Sequence, residues 1–326
     1  MKAVWYERNG SAREVLKLGE MPDPKPGRGE VRVRMAASGL NPSDVKRREG
    51  SRGQVIEFPR VIPNSDGAGV VDAVGPGASE SWVGERVWVW NAQWGRAFGT
   101  CAEYCVLPES QVRELPEGIG FDEGACLGIP AMTAHQALFS DGDIRGQTIL
   151  VTGGAGSVGY YAIQMAKWAG AMVIATVSSA EKAAIAQQAG ADLVIDYKRE
   201  DVAGKVLDFA DAVDRVVEVD FGANLPVNLK VLKLNGTIAS YASMGNPEPK
   251  LPFYAAMRRG WEIDLVFVYM MKSEERAKAL ADLDVLLREG RLSRHVGARF
   301  PLKDVIAAHE AQEAGRVVGN IVIELS

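Results

Sequence analysis

The segment "ILVTGGAGSVGYYAIQMAKWAGAMVIATVSS", residues 149–179, runs from an apolar stretch through crowded glycines into a helical pattern, then into a second apolar stretch that ends in serines. Gly154, Gly156 and Gly159 stand as G-x-G-x-x-G, and Gly153 adds further freedom just before them. Alone, this pattern is weak. Here it follows an expected strand ending at Thr152 and opens an expected helix with Val158, Ala162, Met165 and Ala169 on one stripe. A second strand starts at Met172. Strand, glycine turn, helix and strand together are the setting in which such a loop holds a dinucleotide. Glycines permit a tight turn and close backbone approach. The amides at the helix start, from about Ala155 through Gly156 and Ser157 to Val158, then meet a diphosphate with the positive end of the helix dipole. The plainer alternative is a packing turn with no ligand. FAD and S-adenosylmethionine domains use similar loops, but a loop placed mid-chain behind a separate β domain argues against both.

The closing serines bear on which nucleotide is held. NAD sites place a carboxylate about 20 residues past the loop, where it accepts from the ribose hydroxyls. At that place this chain has Ser178 and Ser179. A carboxylate would repel a 2′-phosphate, whereas hydroxyls can donate to it. Lys182 follows closely, and Tyr197 with Lys198 and Arg199 ends the next apolar stretch. Cations and hydroxyls around an adenosine pocket favour NADPH over NADH. Against this stand Glu181 and the plain reading of Lys182, Lys198 and Arg199 as solvated charges.

Around this unit the chain changes grammar twice. Up to about residue 120 it reads as strands and turns: "GEVRVRMAAS" alternates Val31, Val33 and Met35 with Glu30, Arg32 and Arg34, the period-two mark of a half-buried strand. "GAGVVDAVG", "GERVWVW" and "TCAEYCVL" look like further strands between Gly and Pro clusters. From about 123 onward, strands expected at 148–152, 172–177, 193–197, 214–220 and 237–242 alternate with helical stretches, which implies a parallel sheet covered on both faces. "SEERAKALADLDVLLREG" then puts Leu280, Leu283 and Leu287 on one face, with Ser273 as the expected N-cap and Gly290 as the stop. The closing "GNIVIEL" is again a strand, as if the chain end paired back into the first domain. "GWEIDLVFVYMM" is expected at the edge of the parallel sheet. An unprotected apolar edge invites pairing with a second copy, so a homodimer is expected.

The bulk numbers exclude several classes. With 326 residues, two domains of ordinary size fit. The formal charge of −5 offers no basic field, so neither nucleic acid nor a membrane is an expected partner. "MKAVWYERNG" lacks the apolar core of a signal peptide, and no apolar stretch is long enough to span a bilayer. Cys101, Cys105 and Cys126 are odd in number and without framework spacing, which reads as buried or half-buried reduced thiols in a cytoplasmic protein.

With "NPSDVKRREG", "PNSDGAGVVDAVGPG", "GACLGIPAMTAHQAL", "GGAGSVG" and "AHEAQEAGRVVGNIVI" falling in order, the chain resembles the medium-chain dehydrogenase/reductase superfamily, specifically its zinc-free quinone oxidoreductase (zeta-crystallin-like) branch. The resemblance covers essentially the whole length. It implies an α/β fold: a GroES-like β domain at 1–122, completed by 264–326, plus a doubly wound Rossmann domain at 123–263 that binds NADP(H). It also implies that the nicotinamide lies in the cleft between the two domains. Carried over position by position, Asn41 resembles the polar residue lining the nicotinamide and substrate site, and Thr133 the residue beside the nicotinamide ring. Lys182 and Tyr197 match positions that hold the 2′-phosphate. Asn320 matches the place where the terminal segment meets the cofactor, and the backbone around Tyr241 and around Phe267 to Val268 would face ribose and carboxamide.

Zinc-dependent relatives need Cys, His and a third ligand with an open coordination position. At the corresponding places stand Ser38 to Asn41, Asn64-Ser65-Asp66 and Cys126-Leu127, while His135, His295 and His309 are scattered, each most simply a surface or helix residue. No zinc is therefore expected. Without a Lewis acid to ionise an alcohol, the expected acceptor is already electrophilic: a small-molecule quinone, or an enone or alkenal double bond. Hydride transfer then needs orientation and a water-poor site more than a strong base. Asn41 can hydrogen-bond the acceptor oxygen as charge develops there, and Asp44 reads as a partner of its own loop. Lys46 stands where several quinone-reducing relatives have an aromatic residue. It either stabilises a reduced quinone or enolate oxygen or points into water. Trp88 and Trp90 read as strand packing, leaving Trp94 as a possible lid. A non-catalytic NADPH-binding protein is the reading from a different class.

Overall fold

Alternating apolar and polar residues drive the first part of the chain into strands. In the computed structural model, which describes residues 1–325 with Arg52 described by its backbone alone, β1 (Lys2–Trp5) and β2 (Lys17–Glu20) pair antiparallel around the one-turn helix α1 (Ala12–Val15). β3 (Glu30–Leu40) follows; it buries Val31, Val33 and Met35 while Arg34 stays exposed. Next come α2 (Pro42–Glu49), β4 (Asp66–Val74), β5 (Arg86–Val89), β6 (Tyr104–Pro108), β7 (Val112–Glu114) and the short helix α3 (Phe121–Gly124). Trp88 and Trp90 are both buried, as packing residues should be.

α4 (Gly128–Phe139) then leads into strict alternation. It runs β8 (Thr148–Val151), α5 (Ser157–Trp168), β9 (Met172–Val177), α6 (Ala180–Gln188), β10 (Leu193–Asp196), α7 (Val202–Ala210), β11 (Val213–Glu218), α8 (Phe221–Val231) and β12 (Leu232–Ser240). α9 (Phe253–Arg258), β13 (Glu262–Leu265) and α10 (Ser273–Arg288) complete the series. The last stretch holds β14 (Val296–Pro301), α11 (Val305–Glu313) and β15 (Asn320–Glu324).

Contacts divide the chain into two units, Met1–Ile129 with the chain from Arg294 onward, and Pro130–Ser293. In the first, β3 is central. β4 pairs along one edge of it, and β6 and then β15 pair along the other, all antiparallel. The C-terminal strand thus closes the N-terminal sheet. A core including Val4, Leu40, Val61, Ile62, Ile321 and Ile323 is assembled from both chain ends.

In the second unit six parallel strands run in the order β10-β9-β8-β11-β12-β13. The chain steps outward from β8 to β10, then returns past β8 to β11, which is the doubly wound α/β arrangement. Leu150, Ile174, Ile195, Val216 and Ile238 fill the sheet's core. Because both faces are covered, the strands are apolar nearly throughout.

Several boundaries differ from the sequence reading, and the first unit runs on to Ile129 rather than ending at 122. The return to the first unit comes at Arg294 rather than 264, because β13 pairs with β12 and belongs to the parallel sheet. The expected edge strand keeps only Glu262–Leu265; the chain then leaves the sheet for a 3-10 turn at Val268–Met270. Ser273 is the first residue of α10 rather than its cap. Lys272 holds the cap position, and the Ser273 hydroxyl accepts from Arg276 at 3.3 Å instead.

Candidate functional site

In the second unit, the adjacent ends of β8 and β11 mark the switch point where strand order reverses, the place at which open α/β sheets bind ligands. Gly153 turns there with φ of 67°, a value that favours glycine. A Cβ on Gly154 would lie 2.8 Å from Ala175 Cβ, and one on Gly159 would lie 2.4 Å from the Gly153 carbonyl. The first and last glycines of the motif are therefore packing requirements between turn, strand and helix. Gly156, the N-cap of α5, is exposed and has only the Gly153 oxygen nearby, at 3.3 Å from a built Cβ.

The amides sort themselves accordingly. Gly154 N–H donates to Thr176 O at 2.9 Å, and Gly156 N–H to Gly153 O at 2.9 Å. Among the described residues, the N–H groups of Ala155, Ser157 and Val158 have no acceptor within the chain. This corrects the run of free donors expected from 155 to 158: Gly156 spends its own closing the turn. Three unspent amides at the start of a twelve-residue helix form a cradle that suits a diphosphate.

At the end of β9, Lys182 Nζ donates to Ser178 Oγ at 3.1 Å. Ser179 instead caps α6, its hydroxyl accepting from Lys182 N–H at 3.3 Å. Tyr197 is 52% exposed just past β10. Arg199 lies 3.7 Å from Asp196, so part of its charge is answered locally. Thr133 is buried on α4. Tyr241 donates its backbone N–H to Glu218 O at 3.1 Å, and burial raises its phenol well above the usual range. Phe267 is exposed, and Val268 is buried at the start of the 3-10 turn.

Glu218, which ends β11, was missed by the sequence reading. It is fully buried and accepts from Thr152 Oγ1 at 2.9 Å, Asp220 N at 2.6 Å, Asn224 Nδ2 at 2.8 Å and Asn228 Nδ2 at 2.7 Å. It binds together the loops after β8 and β11. An acid inside the apolar run "DRVVEVD" was the available signal.

The first unit carries Asn41, Lys46 and Asn320. Asn320 opens β15, and both its backbone and its side-chain nitrogen donate to His295 O, at 2.9 and 3.1 Å. Lys46 is half-buried on α2. Trp94 is half-buried beneath the Arg47 guanidinium, 5.1 Å from its ring centre. Asn41 is buried at the start of α2; its N–H donates to Asp44 Oδ2 at 2.8 Å, and its Nδ2 to Asp66 Oδ2 at 2.8 Å. Burial pushes Asp44 up to about 6, against the Asn41 N–H and the Arg47 charge. Burial raises Asp66 as well, and the neighbouring Asp44 adds to the rise, while Asn41 and the amides of Ile129 and Asn91 pull the other way.

The positions where zinc-dependent relatives carry ligands converge in part, Asn41 meeting Asp66. Among the described residues no three His, Cys, Asp or Glu side chains are grouped to hold a metal ion. His135 and His309 are buried helix residues, not surface ones, and His135 Nε2 pairs with Asp282 at 2.8 Å. The three cysteines are free thiols and buried.

Comparison with known proteins accords with this geometry. Residues 27–117 match the alcohol dehydrogenase GroES-like domain, and residues 157–284 match the zinc-binding dehydrogenase family. Human quinone oxidoreductase is 31% identical over 303 residues, covering 91% of this chain and 89% of its own. The chain belongs to the quinone oxidoreductase branch of the medium-chain dehydrogenase/reductase superfamily. Among solved structures, an NAD-dependent alcohol dehydrogenase superposes with a TM-score of 0.90 at 31% identity over the whole of both chains. A mycobacterial protein in complex with NADPH superposes at 0.87, also at 31% identity, over 99% of this chain and all of the other. Within the superfamily, the first unit is the GroES-like domain and the second the Rossmann domain.

The buried acids of the GroES-like domain make a pH prediction. A carboxyl whose folded pKa is raised stabilises the fold at low pH and loses that contribution as pH rises through the folded value. For Asp44 the window runs from about 4 to about 6. Asp44→Asn removes the titration but keeps an oxygen for the Asn41 amide. Denaturant unfolding should therefore show the variant gaining on the native protein between pH 4 and 7, by up to ~3 kcal/mol. A gap that stays constant with pH contradicts the raised value.

Proposed function

We propose that this protein is an NADPH-dependent oxidoreductase that passes a hydride to quinones or related carbonyl-conjugated acceptors without zinc. The observation that carries this is the pairing of two features on one sheet. The cradle of Ala155, Ser157 and Val158 amides, with Gly156 admitting close approach, suits a diphosphate. At the end of β9, where NAD sites hold a carboxylate, the Ser178–Lys182 pair stands instead.

In this reading Ser178, Lys182 and Tyr197 take the 2′-phosphate: Lys182 supplies a charge-assisted donor, and the two hydroxyls add neutral ones. Thr133 and Asn320, with the backbone at Tyr241, Phe267 and Val268, hold the nicotinamide half. When bound, the nucleotide supplies the hydride. The chain's own contribution is binding, orientation and exclusion of water. Asn41 has one Nδ2 hydrogen committed to Asp66 and a second to offer the acceptor's oxygen as negative charge gathers there. Lys46, on the same helix, adds a cation in that neighbourhood. The reduced oxygen then takes its proton from solvent, so no strong general base is required. The same geometry serves a quinone or the double bond of an enone.

Zinc independence rests on the donor set. Ser38 to Asn41, Asn64-Ser65-Asp66 and Cys126-Leu127 stand where zinc ligands would be needed, and Asn41 and Asp66 are hydrogen-bonded to each other at 2.8 Å. The Ser38 hydroxyl and the Asn41 amide are poor partners for Zn²⁺ beside the Cys and His it prefers. The Asp66 carboxylate is already engaged by Asn41 and Ile129, with no group of three His, Cys, Asp or Glu side chains among the described residues. Exhaustive dialysis against 1,10-phenanthroline should leave turnover unchanged, with no stoichiometric zinc by elemental analysis. Loss of activity that zinc restores would overturn this part.

Steady-state nucleotide oxidation with 1,4-benzoquinone and with an alkenal, with NADPH and NADH side by side, tests the whole reading. Tight NADPH binding without turnover of either acceptor would favour a non-catalytic NADPH-binding protein. Lys182→Glu should weaken NADPH by roughly tenfold or more and NADH by far less. Equal losses would undo the phosphate assignment.

We also propose a homodimer formed at the edge strand β13. Leu265 at its end is 72% exposed, and in the segment that follows Phe267 is 48% and Met270 72% exposed. An open apolar edge is an aggregation hazard unless another strand covers it. Light scattering at micromolar concentration should give twice the chain mass, shifting to the single chain in Leu265→Lys; a native monomer contradicts the proposal.

A further inference from the structure

Asp66 has no role among the cofactor and acceptor residues, yet the GroES-like domain is built closely around it. Its side chain is fully buried. A Cβ at Gly128 would stand 2.0 Å from Asp66 Oδ1, so only glycine lets the start of α4 pass. The backbone is clamped too, Thr100 Oγ1 donating to Asp66 O at 2.6 Å. Within this setting Oδ2 accepts two N–H groups, Asn41 Nδ2 and Ile129 N, each at 2.8 Å. Oδ1 is buried and makes no hydrogen bond among the described residues, although the Asn91 amide is near enough to the carboxyl to favour its charge.

A carboxylate oxygen that accepts two N–H donors has its in-plane lone pairs filled. Any proton on Asp66 therefore sits on Oδ1, and Oδ2 remains an acceptor in either protonation state. That matters for Asn41, whose amide nitrogen and oxygen differ in what they offer a substrate. Turned the other way, Asn41 Oδ1 would face an acceptor oxygen in a buried site, and a bond to a carboxyl would become a repulsion. The Asn41 backbone is held independently by Asp44 Oδ2.

We propose that Asp66 is a positioning residue: an acceptor held by Ile129 N–H locks the Asn41 carboxamide nitrogen-inward, leaving its second Nδ2 hydrogen for the acceptor's oxygen. The proposal rests on the functional reading above for what Asn41 donates to, and on the geometry alone for the lock. Ile129 N–H selects the end of residue 66 that carries an oxygen. Asp66→Asn should therefore retain the lock, its amide oxygen in the place of Oδ2, whereas Asp66→Ala abolishes it.

The test has two arms. In the nucleotide-free protein labelled with 15N-asparagine, the two Asn41 Nδ2 protons should be well separated and slow to exchange. In Asp66→Ala they should converge and exchange fast, while Asp66→Asn keeps the native pattern. If Asp66→Ala fails to fold, Asp66→Ser carries the same expectation, since its hydroxyl is too short to reach Asn41. In the second arm, Asn41→Ala and Asp66→Ala should each lower kcat by about ten- to hundredfold with little change in nucleotide affinity, and the double variant should lose no more than either single one. An unchanged Asn41 pair in Asp66→Ala, or losses that multiply, overturns the proposal. A native protein that turns over no acceptor overturns the functional reading instead, and the spectroscopic arm still decides the lock.

Discussion

One turn of backbone at Gly153 sets what the Rossmann domain can do. With φ at 67°, the chain leaving β8 doubles back, so that Gly156 N–H closes onto Gly153 O and α5 begins at Ser157. That turn commits one amide and frees three. It also requires the first and last glycines of the motif, because β9 and the turn itself occupy the space a side chain would need. The order of the sheet places this turn at a reversal, and Glu218 holds the adjoining loop by taking four hydrogen bonds from two segments. A buried carboxylate saturated by donors is costly to disturb, which makes the anion-facing loop rigid before any anion arrives.

The GroES-like domain solves a different problem. Its polar residues sit inside an antiparallel sheet, and each must be answered within the chain. Ser38 Oγ meets Thr100 Oγ1 at 2.8 Å and accepts from Asn64 Nδ2 at 3.0 Å, and Thr100 in turn donates to the Asp66 backbone. Asn64 adopts a left-handed φ of 75°, a conformation that asparagine tolerates better than most side chains. These bonds hold β3 and β4 in register next to α2, so the position of Asn41 is set by a network and not by one contact.

Much of this was legible in the residues. Period-two alternation marked β3, apolar runs between helical stretches marked the parallel sheet, and the spacing of Gly154, Gly156 and Gly159 placed the loop. A side chain at 159 fails for a local reason, the Gly153 carbonyl, whereas one at 154 fails against Ala175 on the next strand, which the spacing alone does not show. What stayed hidden depends on long-range partners. Nothing local says that residues 264–293 stay with the parallel sheet, which follows from β13 pairing with β12. Asp66 is a similar case: its meaning comes from Asn41 and Ile129, 25 and 63 residues away along the chain. An acid at the head of an apolar strand is a signal only once its partners are known.

The two domains therefore divide their chemistry by atom type. The Rossmann domain offers backbone amides and one lysine, donors that suit a ligand of fixed negative charge. The GroES-like domain offers an amide side chain whose orientation is decided by a buried acceptor. In the proposed reaction Asn41 is a neutral donor that meets charge only as it forms. A neutral amide, locked nitrogen-inward, favours that developing charge.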